Sequence, residues 1–117
     1  MDKGTHLART TALGRGRVSS HAVALIVGQL AAESYGVVGM AGRRFPRLLR
    51  RDRLTNGVEV NAREGGLEIV VHVVVEYGLR LAEVAATLRD RVVYEVELRT
   101  GLTVAGVEVL IDDARRS

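Results

Sequence analysis

Two histidine-containing stretches are the first candidates for chemistry. Ser19, Ser20 and His21 are adjacent, but direct neighbours do not provide the geometry of a nucleophile and its base, and no nucleophile-elbow motif flanks them. We interpret the serines as the N-cap of a helix instead. His72 lies inside a valine-rich stretch. It is either a surface histidine without a role or a pH-sensitive interface residue, because imidazole titrates near about pH 6.5.

The carboxylates near the end of the chain are poorly placed for acid–base work. Asp112 and Asp113 are consecutive, so in a strand they point to opposite sides. Glu108 and Asp112 share a face but are separated by about 13 Å along a strand. No His, Asp or Glu spacing matches a zinc site, and there is no cysteine. We therefore expect no catalytic residue, no metal ligand and no cofactor, and predict that the protein is not an enzyme.

The basic segment, residues 43–53, is the strongest charge feature. Its arginines are Arg43, Arg44, Arg47, Arg50, Arg51 and Arg53. Gly39-Met-Ala-Gly42 before it has the G-x-x-G form of a KH loop, but it follows a strand-like stretch instead of lying between two helices. The basic segment also holds a single aromatic residue for base stacking. It could form a short amphipathic helix or an ordered loop, and could meet another subunit, an anionic membrane surface or nucleic acid.

Composition indicates one small domain with an aliphatic core. The chain has 117 residues, 47% of them apolar but only four aromatic. Residues 1–53 carry ten basic and three acidic side chains, a net charge of +7, whereas residues 54–117 carry seven and eleven, a net charge of −4. Such a split suits subunits that associate through complementary charge. No signal peptide or membrane-length apolar run is visible, so we expect a cytoplasmic protein.

Hydrophobic periodicity predicts the order α-β-β-β-α-β. The first helix follows Ser19-Ser20, and Gly36 and Gly101 are expected at helix ends because they accept positive φ. The strands are expected near residues 37–41, 58–63, 67–77 and 102–112, with a hairpin at Glu64-Gly65-Gly66. We predict residues 1–17 as a flexible basic arm, 18–114 as a single α+β domain and 115–117 as a polar tail.

Two helices can cover one face of such a sheet, so the fold class is α+β: a two-layer sandwich with about four strands in a mixed sheet. The uncovered face should be mostly polar, with Val70, Val74 and Leu110 as apolar exceptions around His72. These four residues are the candidate interaction patch on the sheet. We expect Val74→Asp or His72→Glu to weaken self-association while the fold persists.

Three motifs together resemble the alkaline shock protein family of bacterial cell-envelope stress proteins. They are Ala31-Ala-Glu-Ser-Tyr-Gly-Val-Val-Gly39, the valine strand ending in Glu76-Tyr-Gly78 before Leu81-Ala-Glu-Val-Ala85, and Arg99-Thr-Gly-Leu-Thr-Val104 leading to Val107-Glu-Val-Leu-Ile-Asp112. The match spans residues 16–114. It departs from the family in its very basic segment and in lacking a long acidic tail.

The resemblance implies a non-enzymatic structural or interaction protein of the envelope stress response. Such a protein would form homo-oligomers and would lie near the membrane through a membrane-anchored family member. The alternative is a nucleic-acid-binding module that uses the arm and the basic segment, for which we expect steep salt dependence.

Overall fold

A computed structural model of the chain describes residues 6–8, 17–41, 43–44 and 55–116, with side chains described for 18–41 and 55–116. Helices and strands follow one another as β1 His6–Ala8, β2 Arg17–Ser19, α1 Ser20–Glu33, β3 Val37–Met40, β4 Arg43–Arg44, β5 Val58–Arg63, β6 Gly66–Glu76, α2 Leu81–Thr100 and β7 Val104–Arg115. The predicted α+β sandwich is confirmed, since both helices pack on one face of a mixed sheet.

Strand β6 is the centre of the sheet, with a partner along each edge. β7 pairs with it in parallel from Leu67–Val104 to Glu76–Arg115. The opposite edge is divided, because β5 pairs antiparallel with residues 66–71 and β3 with residues 73–75. At the division the His72 amide donates to the Gly57 carbonyl (2.8 Å) and the His72 carbonyl accepts from the Ala41 amide (3.1 Å). β4 extends the sheet beyond β3.

Helix α1 begins at the predicted N-cap and ends one residue earlier than its terminal glycine indicates. The Ser19 hydroxyl accepts a hydrogen bond from the Ala22 amide at 3.0 Å, so the predicted N-cap is confirmed. After the C-cap Ser34, Gly36 adopts φ +88° inside a turn that the Val37 amide closes onto the Ser34 carbonyl at 3.1 Å. A glycine that ends a helix usually follows the C-cap directly, whereas Gly36 lies one residue further along the chain.

Helix α2 connects the two parallel strands. Its buried residues recur every four positions, at Val84, Leu88, Val92, Val96 and Thr100, which gives one apolar stripe. Gly101 ends the helix in the left-handed region, at φ +73°. The Glu97 carboxylate accepts from the Val104 amide at 2.8 Å, which attaches the end of α2 to the start of β7.

The core lies between the helices and the inward face of the sheet. α1 packs against β3, β5 and α2, whereas α2 packs against β7. Alternate residues of the central strand, at positions 67, 69, 71, 73 and 75, are buried in this layer with the two helical stripes. Each fully buried aliphatic side chain there contributes about 1.5–3 kcal/mol.

Three parts of the structure differ from the sequence prediction. β1 pairs with β2 in a small antiparallel sheet, so residues 6–8 of the predicted arm are a strand, while the rest of the arm up to residue 16 lies outside the described residues. β4 places residues 43–44 of the basic segment in a strand instead of a helix or loop. β7 continues to Arg115, beyond the predicted end of the domain, because β6 pairs with it as far as Glu76.

Within the residues that the structure describes, no helix is long and apolar enough to cross a membrane.

Candidate functional site

The candidate site is the open face, which we define as the sheet face turned away from α1 and α2. The residues expected there that are polar or half-buried in the structure are Glu59, Asn61, Arg63, Glu68, Val70, His72, Glu76, Glu108, Leu110 and Asp112. The strand register aligns residues of the open face in two rows that run across neighbouring strands. Glu59, Val70 and Glu108 lie side by side on β5, β6 and β7, and His72 lies beside Leu110.

His72 is held between two carboxylates from the neighbouring strands. Its Nδ1 lies 3.2 Å from Asp112 Oδ1 and its Nε2 lies 3.1 Å from Glu59 Oε2. The sequence analysis placed all three residues on one face but did not connect them. Strand alternation predicts the shared face, but which strands are adjacent and in what register is known only from the structure.

This arrangement favours the protonated imidazole. Hydrogen bonds to Asp112 and then to Glu59 raise the pKa of His72 above its usual value, against a smaller opposing effect of burial. The physical cause is the number of protons on the ring, since only the imidazolium can donate to both carboxylates at once. In that state His72 links β5, β6 and β7 through side chains as well as through the backbone.

Val74 does not belong to the exposed patch. Its side chain is 0% exposed, so the prediction that it lies uncovered beside His72 is wrong. Strand alternation assumes a regular ladder on both sides of β6, and the ladder is irregular here. β3 shifts register between Val37 and Gly39, and β7 shifts between the partners of Val73 and Val74. Such bulges increase local twist and bend the sheet.

Val70 and Leu110 remain as the accessible apolar residues of the open face, each half-buried. Acidic side chains surround them. Glu68 pairs with Arg63 at 3.6 Å, and Glu59 and Asp112 bind His72. Glu108 is exposed and makes no hydrogen bond or ion pair to any described side chain. The open face therefore combines a small apolar centre with an acidic surround.

The basic segment is only partly described. Arg43 and Arg44 form β4 and pair with Met40 and Gly39, whereas the predicted interaction residues Arg47, Arg50, Arg51 and Arg53 lie outside the described residues. The two-residue connection after Met40 contains Ala41 at φ +55°, as tight hairpins favour. The G-x-x-G stretch thus belongs to a β-hairpin, which differs from the helix–loop–helix setting of a KH loop.

A shallow groove at one end of the molecule is a feature that the sequence analysis did not single out. It encloses about 280 Å³ and is lined by Tyr35, Leu79, Arg80, Glu83, Val84 and Thr87. Tyr35 is 80% exposed and Tyr77, in the turn after β6, is 61% exposed. Two Tyr-Gly pairs at strand and helix ends were the available signal. The charged side chains that line the groove, Arg80 and Glu83, pair with each other at 3.0 Å.

Among the described residues, no group of three or more His, Cys, Asp or Glu side chains could hold a metal ion. Glu59, His72 and Asp112 lie close together, but each ring nitrogen of His72 faces a different carboxylate. The geometry suits a salt link across three strands and offers no shared point to a cation.

Comparisons with known proteins place the chain in a family. Residues 8–116 match the family model of alkaline shock protein 23, which is described as having a cell envelope-related function. An uncharacterized protein of Streptococcus pyogenes serotype M6, Spy1614, is 33% identical over 103 residues, covering 84% of this chain and 85% of its own length. The uncharacterized protein YloU of Bacillus subtilis is 29% identical over 110 residues, covering 90% and 92%.

No solved structure matches the chain significantly. The family match covers nearly the whole sequence, and it includes all three motifs that carried the resemblance to alkaline shock proteins, which is thereby confirmed. The chain belongs to the alkaline shock protein 23 family, whose described function is related to the cell envelope.

Proposed function

We propose that this protein is a non-enzymatic interaction protein of the cell-envelope stress response, which associates with itself through the open face and binds a membrane-anchored partner. The observation that carries the self-association is the pair Val70 and Leu110, accessible on a sheet face that the two helices leave uncovered. An apolar centre with a polar surround is the usual anatomy of a protein interface. The family's envelope-related function is compatible with a membrane-anchored partner and supports this part of the proposal.

The open face is a better interface candidate than the other accessible apolar side chains. Tyr94 and Leu98 are exposed four residues apart on one face of α2, but exposed apolar residues are common on protein surfaces. Val70 and Leu110, in contrast, lie on two hydrogen-bonded strands that form a firm platform. A rigid platform loses little conformational freedom when it binds.

The test is to place a charge in the centre of the open face. We expect wild-type protein to self-associate at about 50 µM, in the weak-association range, and Leu110→Asp to shift it toward monomer in sedimentation velocity. The matched control is Leu98→Asp, the same exchange at an exposed residue of α2, which should leave association unchanged. Circular dichroism checks that both variants fold.

Two results would contradict the proposal. A wild-type protein that is strictly monomeric at this concentration removes self-association. Dissociation by Leu98→Asp with no effect of Leu110→Asp moves the interface from the sheet to α2. The membrane-anchored partner is tested separately by cell fractionation, in which wild-type protein should sediment with membranes and folded Leu110→Asp should sediment less.

A further inference from the structure

The charge of the open face indicates what kind of surface it can bind. Four exposed carboxylates lie on three adjacent strands, Glu59 on β5, Glu68 on β6, and Glu108 and Asp112 on β7. The basic residues among them are Arg63 and His72, and Arg115 lies beside Glu76 at the end of β7. Glu108 lies beside Val70 in the strand register and has no partner among the described side chains. A cationic group could therefore bind Glu108 without displacing any side chain that the structure describes.

Arginine fits this face better than lysine does. Its guanidinium can hold a carboxylate with two parallel hydrogen bonds. Its methylene stem can lie on apolar surface while the charged end remains at the edge, and the surface of Val70 and Leu110 lies next to the Glu108 carboxylate. A short arginine-rich segment could engage both features at once.

The chain itself carries such a segment. Residues 43–53 contain six arginines and one acidic residue, Asp52, with Phe45, Leu48 and Leu49 as apolar companions. Building on the proposed self-association, we propose that the acidic open face binds residues 43–53 of a second copy of this chain, so that each copy inserts its basic segment against the sheet of the other. The interface is then isologous, the commonest kind in homodimers.

A second copy is the occupant that the proposed self-association requires. The segment leaves β4 at Arg44 and ends before β5, and both strands lie on the side of β6 opposite to β7. Glu108 and Asp112 lie on β7, so they are the carboxylates of the face farthest from these attachment points. Neighbouring strands are about 4.8 Å apart, so strand spacing alone does not separate the two copies, and the oligomeric state of the protein distinguishes them.

The first experiment uses a fluorescent peptide with the sequence of residues 43–53. We expect it to bind wild-type protein in an anisotropy titration, and Glu108→Arg to weaken binding about ten-fold or more, because an attraction becomes a repulsion. The matched control is Asp90→Arg, the same charge reversal on an exposed position of α2. It should change the affinity no more than about two-fold, because salt screens charges that are far from the binding site. No binding to wild-type protein, or equal weakening by both variants, overturns the proposal.

The second experiment distinguishes this proposal from the proposed function. Full-length Glu108→Arg, and a variant with Arg47, Arg50 and Arg51 all changed to Glu, should each be mainly monomeric in sedimentation velocity, and their mixture should form a heterodimer. If wild type and both variants all associate equally, self-association stands but the basic segment is not the occupant. If wild type is monomeric, self-association and this proposal both fail.

Discussion

His72 has a pKa that depends on its place in the sheet. The carboxylates of Asp112 and Glu59 raise the pKa of its ring, so the folded state binds a proton more tightly than the unfolded chain does. The stabilising contribution is therefore fully present below the ordinary histidine value of about 6.5 and is lost as pH rises through the raised folded value.

The direction of this pKa shift predicts how the stability of the fold changes with pH. Wild-type protein should lose thermal stability between about pH 6 and about pH 9 more than His72→Gln does, because glutamine cannot titrate in this range. The measurement is the melting temperature by circular dichroism at several pH values. His21, an exposed histidine in the first turn of α1 and outside the sheet, provides the control variant His21→Gln, which should follow wild type. Parallel profiles for wild type and His72→Gln would remove the linkage.

Val74 and Val70 allow a buried residue to be compared with an accessible residue on the same strand. Both residues lie on β6 and alternate to the open-face side, but Val74 is fully buried whereas Val70 is half-buried. We expect Val74→Asp to destabilise the fold by roughly 3–5 kcal/mol, because a carboxylate there loses its water. This reverses the sequence-based expectation that the variant would keep its fold.

Val70→Asp is the matched comparison, and it should cost about 1 kcal/mol or less because its carboxylate can reach solvent. Urea denaturation of the two variants measures the free energy of unfolding that each change removes. Equal destabilisation by both changes would contradict the burial difference between the two positions.

At the scale of elements, the sheet is sensitive to substitution at the junction between β5 and β3, which pair one after the other with the same edge of β6. Gly57 stands there at φ +87°, and a Cβ would lie 2.9 Å from the Ala41 amide nitrogen and 3.2 Å from the His72 carbonyl oxygen. Both neighbours are backbone atoms that already hydrogen-bond across the sheet. A side chain at this position therefore has to displace the ladder itself.

We expect Gly57→Ala to lower the free energy of unfolding by roughly 1–3 kcal/mol, through strained φ and close contact together. The control is Gly65→Ala in the β5–β6 hairpin, where a Cβ would meet no atom within 4 Å. It should change stability by no more than about 0.5 kcal/mol. Similar denaturation midpoints for the two variants would show that the junction tolerates a side chain.

The elements themselves could be predicted from sequence because their signals are local. The Ser19 cap, the repeat of α2 from Val84 to Val96 and the alternation of β5 each depend on near neighbours. The irregularities could not be predicted in the same way. Whether Val74 is covered depends on parts of the chain far from it in sequence, and both β3 and β7 shift register beside it.

The candidate site was predictable to a similar extent. Alternation placed Glu59, His72 and Asp112 on one face, but their distances depend on strand order and register. The parallel pairing of β6 with β7 brings Asp112, forty residues later in the chain, to 3.2 Å from His72. Sequence periodicity carries no information about that offset.

At the scale of the whole molecule, charge is divided between the two halves of the chain. Residues 1–53 carry a net +7 and residues 54–117 a net −4. Because exposed charges are screened within about 10 Å at 0.1 M salt, the proposed self-association should weaken as salt is raised from about 0.05 to about 0.5 M. Sedimentation velocity measures this, and association that is unchanged or stronger at high salt would indicate a mainly apolar interface.

Binding of nucleic acid stays an alternative prediction for the same basic residues. It would also be salt-dependent, but it would not require Glu108. A band shift of labelled RNA or DNA at low salt that is equal for wild type and Glu108→Arg would favour this alternative, and the absence of any shift would remove it.

The divided edge of β6 has a consequence for the exchange of backbone hydrogens with solvent. β6 amides are bonded to β7 on one edge and to β5 or β3 on the other, so they become accessible only when the whole domain opens. Among the described residues, β7 and β5 have a strand partner on one edge, and the amides of their outer edges can exchange through local fluctuations. Deuterium uptake by β6 thus reports global stability, whereas uptake at the outer edges of the flanking strands reports local fluctuations of the sheet.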